Sequence, residues 1–222
     1  YGNATRMSRE APIPVLEFER RKLIPGGASN PAANIVALGS RVLQMGVVGE
    51  DNAARELKDF LSARNIDISG LMSDPARPTT VKMRIMAQMG LRFPQQVARL
   101  DTLSRTPISA DMEERLCAYL ATHIAEVAAV LVSDYHAGML TPFLIDEIRR
   151  IGQQAGVILA ADAQGELNKY RGFTLVKCNA DEARAYLQRD LITNADFASA
   201  AGELLHLLDL TDGMVITRGP DG

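Results

Sequence analysis

The chain has 222 residues, 47% of them hydrophobic, and its 24 Lys and Arg residues stand against 27 Asp and Glu residues for a formal net charge of -3. This length and apolar content suffice for one large α/β domain with a sizeable core. Because acidic and basic residues are interspersed, the composition lacks the basic footprint of a protein that binds nucleic acid or an anionic membrane.

Apolar runs, the N-terminal residues and the number of cysteines exclude further classes of protein. No apolar run approaches the length of a bilayer-spanning helix, and the first residues lack the pattern of a signal peptide, so the sequence predicts a cytoplasmic protein. The two cysteines, Cys117 and Cys178, are too few for a disulfide framework or a metal-ligand cluster. We expect both to be reduced thiols with structural roles.

The first predicted strand lies within residues 12–19. Leu16 and Phe18 alternate there with Glu17 and Glu19, which is the pattern of a half-exposed strand. An ordinary edge strand fits the pattern as well, since prolines are tolerated at edges. No strand is predicted for the residues before it.

Residues 25–51 predict a loop, a helix, a strand and an acidic turn, in that order. Gly26 and Gly27 lack a Cβ, so their backbone can take positive φ or lie close to a ligand, and Asn30 places an amide group nearby. One interpretation is that this loop binds a polar small molecule. The other is that it is a glycine turn that begins a packed helix, and a glycine pair by itself favours this second interpretation. The strand is predicted for residues 42–48.

An amphipathic helix is predicted for residues 52–64 and a short connecting element for residues 66–71. Residues 78–86 then alternate in polarity, and residues 97–101 complete a predicted hairpin across a turn near Gly90 and Pro94.

The polar face of this hairpin holds cations suited to an anionic ligand. It carries Lys82, Arg84, Arg99 and Asp101. Arginine offers a planar fork to phosphate oxygens, and lysine offers a compact point charge. A solvated strand face with a cross-strand ion pair explains the same residues equally well.

The second half of the chain alternates strands with helices. Helices are predicted for residues 109–126, 141–155 and 196–208, and strands for residues 127–132, 157–161, 174–178 and 214–217. This β-α-β order predicts a parallel sheet, and the continuous apolar runs 127–132 and 157–161 predict strands buried on both faces. Ligands bind beyond the carboxyl ends of such strands, which makes Asp134 a candidate. Without further information, Asn179 and Glu182 predict a capping box. His136 is predicted to be a surface or packing residue.

The order and spacing of several motifs resemble a known family. GGASN, AANIVALG and MGVVGED resemble the first signature of the ribokinase-like sugar kinases, also called the phosphofructokinase B family. SREAPIPV, RPTTVKMR, ARLD and SDYHAGML resemble its heptose-7-phosphate kinase branch, whose members often form half of a bifunctional ADP-heptose synthase. The resemblance implies a ribokinase-like three-layer α/β/α sandwich with a mostly parallel central sheet. It also implies a small β-lid, here segments 10–24 and 78–101, in a single domain over residues 1–222.

The resemblance further implies an activity and its site residues. The expected reaction is transfer of the γ-phosphoryl group of ATP to a hydroxyl of a sugar or sugar phosphate, with heptose 7-phosphate as the acceptor. Contacts to the sugar phosphate are implied for Gly26, Gly27, Asn30, Lys82, Arg84, Arg99, Asp101 and Asp134. Contacts to the nucleotide are implied for Asn179, Glu182, Thr217, Gly219 and Gly222. Glu182 is expected to hold Mg²⁺ through water. The lid hairpin is expected to form a homodimer that covers its apolar face.

The sequence also departs from the family pattern. Ala137 and Gln164 stand where the family carries lysines in its Ser-Asp-Tyr-x-Lys-Gly and Asp-Pro-Lys-Gly motifs, and the spacing supplies no replacement cations. The Gly-Ala-Gly-Asp segment, whose Asp is the general base, is missing, so no catalytic residue is assigned. The chain as it stands is therefore expected to be an inactive piece of a longer protein, incomplete at both ends.

Two alternatives stay open at this point. One is a non-catalytic ribokinase-like domain that binds a sugar or regulates a partner, which the loss of the two lysines favours. The other is a plain dinucleotide-binding fold, which the sequence disfavours because no G-x-G-x-x-G follows its first strand.

Overall fold

The computed structural model describes residues 1–88 and 93–221. Two residues named above, Gly90 and Gly222, lie outside these ranges. The chain divides into two compact units. The first unit consists of Tyr1–Val42, Val47–Ile68 and Ser73–Ser104, and the second of Leu43–Gly46, Ser69–Met72 and Arg105–Gly222.

Strands and helices are interspersed along the chain, as expected for an α/β protein. The strands are β1 Gly2–Met7, β2 Pro14–Phe18, β3 Leu43–Val48, β4 Asp67–Ser73, β5 Val81–Gln88, β6 Gln95–Thr102, β7 Ala129–Ser133, β8 Ile158–Asp162, β9 Leu175–Asn179 and β10 Gly213–Thr217. The helices are α1 Ser29–Ala37, α2 Asn52–Ser62, α3 Ala110–His123, α4 Pro142–Ala155, α5 Ala180–Leu187 and α6 Asn194–Leu207. Short 3₁₀ turns lie at Ile124–Glu126, Leu167–Tyr170 and Gly219–Asp221. In the described residues no helix has the length and apolar character needed to cross a bilayer.

Helices α3 and α4 begin within one residue of their predicted starts, and each has a side-chain cap. Ser109 and Thr141 each accept a hydrogen bond from the backbone N–H three residues later, and they open α3 and α4. Helix α4 ends at Gly156, whose φ of 69° is the left-handed conformation that favours glycine. These start and stop signals are local, so the sequence alone predicts them well.

The second unit is built on a parallel sheet with strand order β10-β9-β8-β7. One face of this sheet is buried, and it carries Val132, Leu159, Ala161, Val176 and Cys178. Helix α4 packs there at close range, since a Cβ on Gly152 would lie 2.4 Å from Leu159 Cδ2. Both cysteines are free thiols, and burial raises the pKa of Cys178 to about 12, so this thiol stays protonated.

The opposite face of the same sheet corrects a prediction. Residues 127–132 and 157–161 were expected to be buried on both faces, yet Leu131 is 44% exposed and Ile158 is 50% exposed. Strand β7 is an edge strand of the sheet. A continuous apolar run shows that both faces of a strand could be buried, but only the packing partners decide whether both are.

The first unit contains a four-stranded sheet with strand order β2-β1-β5-β6, which we call the lid sheet. Strands β1 and β2 pair antiparallel, as do β5 and β6, while β1 and β5 run parallel. The predicted lid segments supply β2, β5 and β6. Strand β1 was not predicted, because GNATRM lacks alternating polarity and becomes a strand by pairing with β2 and β5.

The remaining strands, β3 and β4, pair with each other in a two-stranded sheet whose residues are shared between the two units. Strand β3 coincides with the predicted strand at 42–48, and β4 occupies the predicted connecting element at 66–71. The loop, helix, strand and turn predicted for residues 25–51 are therefore confirmed.

Candidate functional site

Polar side chains collect at the carboxyl edge of the parallel sheet in the second unit. The strand register sets Ser133 beside Asp162, and Asn179 beside Thr217, at the ends of their strands. Asp134 follows the end of β7 directly. Because the strands are parallel, residues far apart in the sequence meet at this one edge.

Asp134 is the centre of a buried hydrogen-bond network at this edge. It is only 4% exposed, and its Oδ2 accepts from Tyr170 OH at 2.6 Å and from Lys169 Nζ at 2.9 Å. Its Oδ1 accepts from the His136 backbone N–H at 2.9 Å. Burial alone would raise the pKa of this carboxyl, but these three donors outweigh it and hold the pKa below its ordinary value. Asp134 is therefore a charged carboxylate engaged by protein donors.

The partners of Asp134 keep their own protons. Burial, together with the neighbouring carboxylate, raises the pKa of the Tyr170 hydroxyl well above its usual range. Burial would lower the pKa of Lys169, but its bonds to Asp134 and to Glu166 Oε2 at 3.1 Å raise it instead. The network thus holds a carboxylate, an ammonium group and a neutral phenol together.

Two lysines that sequence reasoning missed stand at the ends of β7 and β8. Lys169 reaches Asp134 from the loop after β8, and Lys177 on β9 donates to Asp162 Oδ1 at 2.8 Å. Both lysines are engaged by carboxylates of the protein, so the expectation that nothing replaces the cations missing at Ala137 and Gln164 stays a prediction. Lys177 had a local signal, because it alternates with the buried Val176 and Cys178 and so faces away from the core. Lys169 had none, since only the tertiary structure brings it to β7.

The loops after β7 and β8 contain residues in strained backbone conformations and contact each other through polar side chains. His136 and Glu166 have positive φ values of 51° and 45°, which are uncommon for residues other than glycine. The Gln164 carbonyl accepts from His136 Nε2, and His136 Nδ1 lies 4.0 Å from Glu166 Oε2. At Gly138, with φ of 73°, a Cβ would lie 2.1 Å from the Thr106 carbonyl oxygen. Such strain is found where a loop must hold a defined shape, commonly at functional sites.

The capping box predicted from Asn179 and Glu182 is confirmed. Asn179 Oδ1 accepts from Glu182 N at 2.9 Å, and Glu182 Oε2 accepts from Asn179 N at 2.7 Å. This pair opens α5 at the end of β9. The cap and a ligand-binding role are compatible, because each side chain uses only part of its hydrogen-bonding capacity for the cap.

A pocket of about 480 Å³ joins three of the predicted nucleotide-binding residues, Asn179, Thr217 and Gly219. Arg184 and Arg218 also line it, and their guanidinium carbons lie 5.8 Å and 5.0 Å from the ring centre of Phe197. These cationic and aromatic lining residues were not predicted from the sequence, because they come from α5, α6 and the turn after β10.

Glu182 lies in a neighbouring pocket of about 450 Å³ that also contains Asn179 and Glu166. Across residues 1–88 and 93–221, no group of three or more His, Cys, Asp or Glu side chains is arranged to hold a metal. Mg²⁺ prefers oxygen ligands and keeps several waters, so a single carboxylate suits it when the remaining ligands are water and phosphate. Glu182 uses Oε2 in the cap, and its second oxygen fits this water-mediated role.

In the first unit, the glycine loop stands directly before α1. Gly27 has φ of 51°, a conformation that side chains rarely adopt, and the Gly26 carbonyl accepts from Ser29 N at 3.1 Å. A Cβ at Gly26 would meet no atom within 4 Å among the described residues, so packing there does not require glycine. Asn30 is exposed in the first turn of α1. The loop therefore leaves room for a ligand beside Gly26.

The predicted cations lie together on the lid sheet. Lys82 pairs in register with Asp101, and Arg84 with Arg99. The ion pair recorded for Arg99 runs along β6 to Asp101, at 2.9 Å, rather than across the hairpin. Two guanidinium groups directly opposite one another repel, and an anion bound between them would relieve that repulsion.

The predicted residues are divided between the two units. The glycine loop and the lid cations belong to the first unit, while Asp134, Asn179, Glu182, Thr217 and Gly219 lie at the sheet edge of the second. Gly222 lies outside the described residues.

Comparison with known proteins gives a family and a fold. The family model described as pfkB family carbohydrate kinase matches residues 3–222. The chain is 37% identical to the bifunctional protein HldE of Geobacter metallireducens and 35% identical to that of Geotalea uraniireducens, each over 223 aligned residues. Both matches cover 100% of this chain and 44% of the relative. The chain therefore spans less than half the length of these relatives.

Among solved structures, the chain resembles Arabidopsis thaliana ribokinase complexed with ribose and ATP, with a TM-score of 0.71 at 16% identity. The match covers 100% of this chain and 69% of the ribokinase chain. At this identity the likeness establishes the fold alone, a ribokinase-like α/β fold with mostly parallel sheets.

Proposed function

The chain belongs to the pfkB family of carbohydrate kinases, and we propose that it transfers the γ-phosphoryl group of ATP to a hydroxyl of heptose 7-phosphate, a step in ADP-heptose synthesis. The observation that carries the proposal is the pocket lined by Asn179, Thr217 and Gly219 at the carboxyl edge of the parallel sheet. The choice of heptose rests on the similarity to HldE proteins. Because ATP and sugar phosphates are cytoplasmic metabolites, we expect the protein to act in the cytoplasm.

At the nucleotide end, the residues around the pocket bind and orient the phosphates. The Asn179 amide and the Thr217 hydroxyl supply hydrogen-bonding groups, and Gly219 lets the backbone of the turn approach closely. Glu182 and Asn179 would hold Mg²⁺ and its waters, which neutralise charge that develops on the transferring phosphoryl group. Positioning and charge stabilisation are the main contributions a protein makes to phosphoryl transfer.

At the acceptor end, the glycine loop and the lid cations bind the sugar phosphate. Gly26, Gly27 and Asn30 offer backbone and amide groups to hydroxyls, while Arg84 and Arg99 bind the phosphate between them. Asp134 acts indirectly. Its carboxylate is buried and held by three donors, so it fixes the loop after β8 instead of touching the sugar.

The alternative is a non-catalytic ribokinase-like domain that binds sugar. Its main support was the loss of lysines at positions 137 and 164. Lys169 and Lys177 lie near these strand ends, but each is held in an ion pair with Asp134 or Asp162, so this support stands until turnover is measured.

The test is ATP- and Mg²⁺-dependent phosphorylation by the protein expressed from its complete gene, with heptose 7-phosphate compared to simpler sugars. We expect turnover of heptose 7-phosphate, and a loss of about 10- to 100-fold in kcat/KM for Glu182→Gln, because the charge near the metal is removed. Glutamine still accepts from Asn179 N, so the melting temperature should not change.

Glu203→Gln is the matched control for this variant. Glu203 pairs with Arg189 at the surface and should behave as wild type. Binding of the sugar phosphate without any turnover would contradict the kinase proposal and support the binding domain instead.

We also propose that the protein forms a homodimer through the apolar face of the lid sheet. Met83 lies opposite Leu100 on that face, and Phe18 stands on the outer strand of the sheet. Phe18 is 78% exposed and Leu100 is 61% exposed in the single chain. Large apolar side chains exposed on a sheet in this way are candidates for a protein interface.

Light scattering at micromolar concentration should show a dimer for the wild type and a monomer for Leu100→Asp, because a buried carboxylate in a symmetric interface is repeated in both copies. Leu38→Asp places the same charge on another exposed leucine of the first unit and should leave the dimer intact. A monodisperse wild-type monomer would rule out this assembly.

A further inference from the structure

The segment that leads into lid strand β5 is fastened to the turn after β3. The Thr79 hydroxyl donates to Asp51 Oδ1 at 2.8 Å and accepts from Gly49 N at 2.9 Å. The Thr79 backbone N–H donates to Asp51 Oδ2 at 2.9 Å. Three hydrogen bonds therefore join Thr79, two residues before β5 begins, to a turn that precedes α2.

This contact is close and shielded from solvent. Thr79 is only 5% exposed. A Cβ on Gly49 would lie 2.5 Å from the Arg77 carbonyl oxygen and 2.8 Å from Thr79 N. Only glycine at this position therefore lets the turn after β3 pack so closely against the backbone of residues 77–79. The Thr79 N–H is the main reason that the pKa of Asp51 lies below its ordinary value, which keeps the carboxylate charged.

The lid cations Lys82 and Arg84 lie on β5, the strand that begins two residues after Thr79. Strand β5 pairs with both β6 and β1. At about 3.3 Å per residue, a change of about 10° in direction at Thr79 would move the backbone at Arg84 by about 3 Å. A binding group must hold its position within about 0.5 Å to act effectively.

We propose that Asp51 and Thr79 are positioning residues that fix the direction in which β5 leaves the turn after β3, and so place Lys82 and Arg84 for the sugar phosphate. The inference rests on the proposed function for its ligand, while its geometry concerns the lid itself. The turn determines where the lid cations lie, and the residues in it need not touch any substrate.

A purely structural role must be separated from this one, because Asp51 also caps α2 by accepting from Ala54 N at 2.9 Å. Thr79→Val removes the hydroxyl and keeps both the Asp51–Ala54 bond and the Thr79 backbone bond. Thr79→Ser restores the hydroxyl. Thr80→Val is the matched control, since Thr80 is the exposed neighbour and undergoes the same chemical change.

Kinetics on the protein from its complete gene give the first readout. Thr79→Val should raise the KM for heptose 7-phosphate about tenfold and change the KM for ATP less than about twofold. Thr79→Ser should return the acceptor KM to within about threefold of wild type, and Thr80→Val should not change it. Equal effects of Thr79→Val on both KM values, or none, would overturn the inference.

Hydrogen exchange gives a readout that does not depend on catalysis. Thr79→Val should speed amide exchange about tenfold in β5 and β6, with no change in β8 and β9 of the second unit. Should Thr79→Val fail to fold, Asp51→Asn serves in its place, because it keeps an oxygen for Ala54 N but removes the acceptor of Thr79 N. Unchanged exchange in the lid overturns the inference. Wild-type protein without turnover or acceptor binding overturns the proposed function, and the exchange result still decides whether Thr79 fixes the lid.

Discussion

Replacing Asp134 by Ala is expected to lower the free energy of unfolding by about 3–5 kcal/mol, the range seen when one partner of a buried ion pair is removed. The Lys169 ammonium and the Tyr170 hydroxyl would both lose their acceptor at the end of β7. Neither group can turn to bulk water without opening the loop after β8, because the Lys169 side chain is mostly buried and Tyr170 fully so. Urea unfolding at neutral pH measures the change directly.

Asp146→Ala is the matched control. Asp146 pairs with Arg149 at 2.7 Å on the surface of α4, where the Asp146 side chain is largely exposed. Asp146→Ala should therefore lower the free energy of unfolding by less than about 1 kcal/mol. The double variant Asp134→Leu with Lys169→Met should lower the free energy of unfolding by less than the two single variants do together. The reason is that no buried charge is left without a partner in the double variant. A loss below about 1 kcal/mol for Asp134→Ala would show that the network does not hold the loop.

The contribution of this network should also depend on pH. The folded-state pKa of Asp134 lies below its unfolded value, so its contribution is fully present above pH of about 4 and disappears as pH falls through the folded pKa. The folded-state pKa of Lys169 lies above its unfolded value, so its contribution is fully present below pH of about 10 and disappears as pH rises through the folded pKa. The difference between wild type and Asp134→Ala should therefore be constant near neutral pH and shrink on acidification.

Arg84→Ala should lower kcat/KM for heptose 7-phosphate by about 10- to 100-fold, because a hydrogen bond to a charged group contributes about 1.5–3 kcal/mol. Arg84 lies opposite Arg99 on the lid sheet, and a phosphate between them would receive two planar forks. The loss should appear mainly in the acceptor KM, since binding of the phosphate is uniform between ground and transition states.

The decisive comparison uses the same heptose without its phosphate. For that acceptor, wild type and Arg84→Ala should have similar kcat/KM values, because the arginine then has no partner. Arg84→Lys should retain part of the activity through its charge but lose the fork geometry. Arg9→Ala removes an exposed arginine elsewhere in the first unit and should have no effect. Equal losses with both acceptors would show that Arg84 does not bind the phosphate.

Features determined within a few residues could be predicted from the sequence. The starts of α3 and α4, which Ser109 and Thr141 cap, and the capping box of Asn179 and Glu182 are found where they were expected. Each depends on a side chain and a backbone N–H three positions away, so the local residue pattern contains the whole interaction. The lid hairpin was predictable for a similar reason, since alternating polarity marks its first strand.

The fold class followed from the same local signals, because alternating strands and helices leave few arrangements other than a parallel sheet. The resemblance to a kinase family then named candidate residues, and the structure gathers Asn179, Thr217 and Gly219 around one pocket. Spacing alone could not assign them a ligand, because a capped helix start and a glycine turn have the same pattern without one.

Only the tertiary structure decided which distant residues meet. Strand β1 is a strand because β2 and β5 pair with it, and the exposed face at Leu131 and Ile158 depends on what packs against the sheet. Lys169 reaches Asp134 from the loop after β8, and Lys177 reaches Asp162 from the neighbouring strand β9. Such contacts join residues that lie 15 to 35 positions apart. A local pattern cannot encode them, because they form only when the sheet brings its strand ends together.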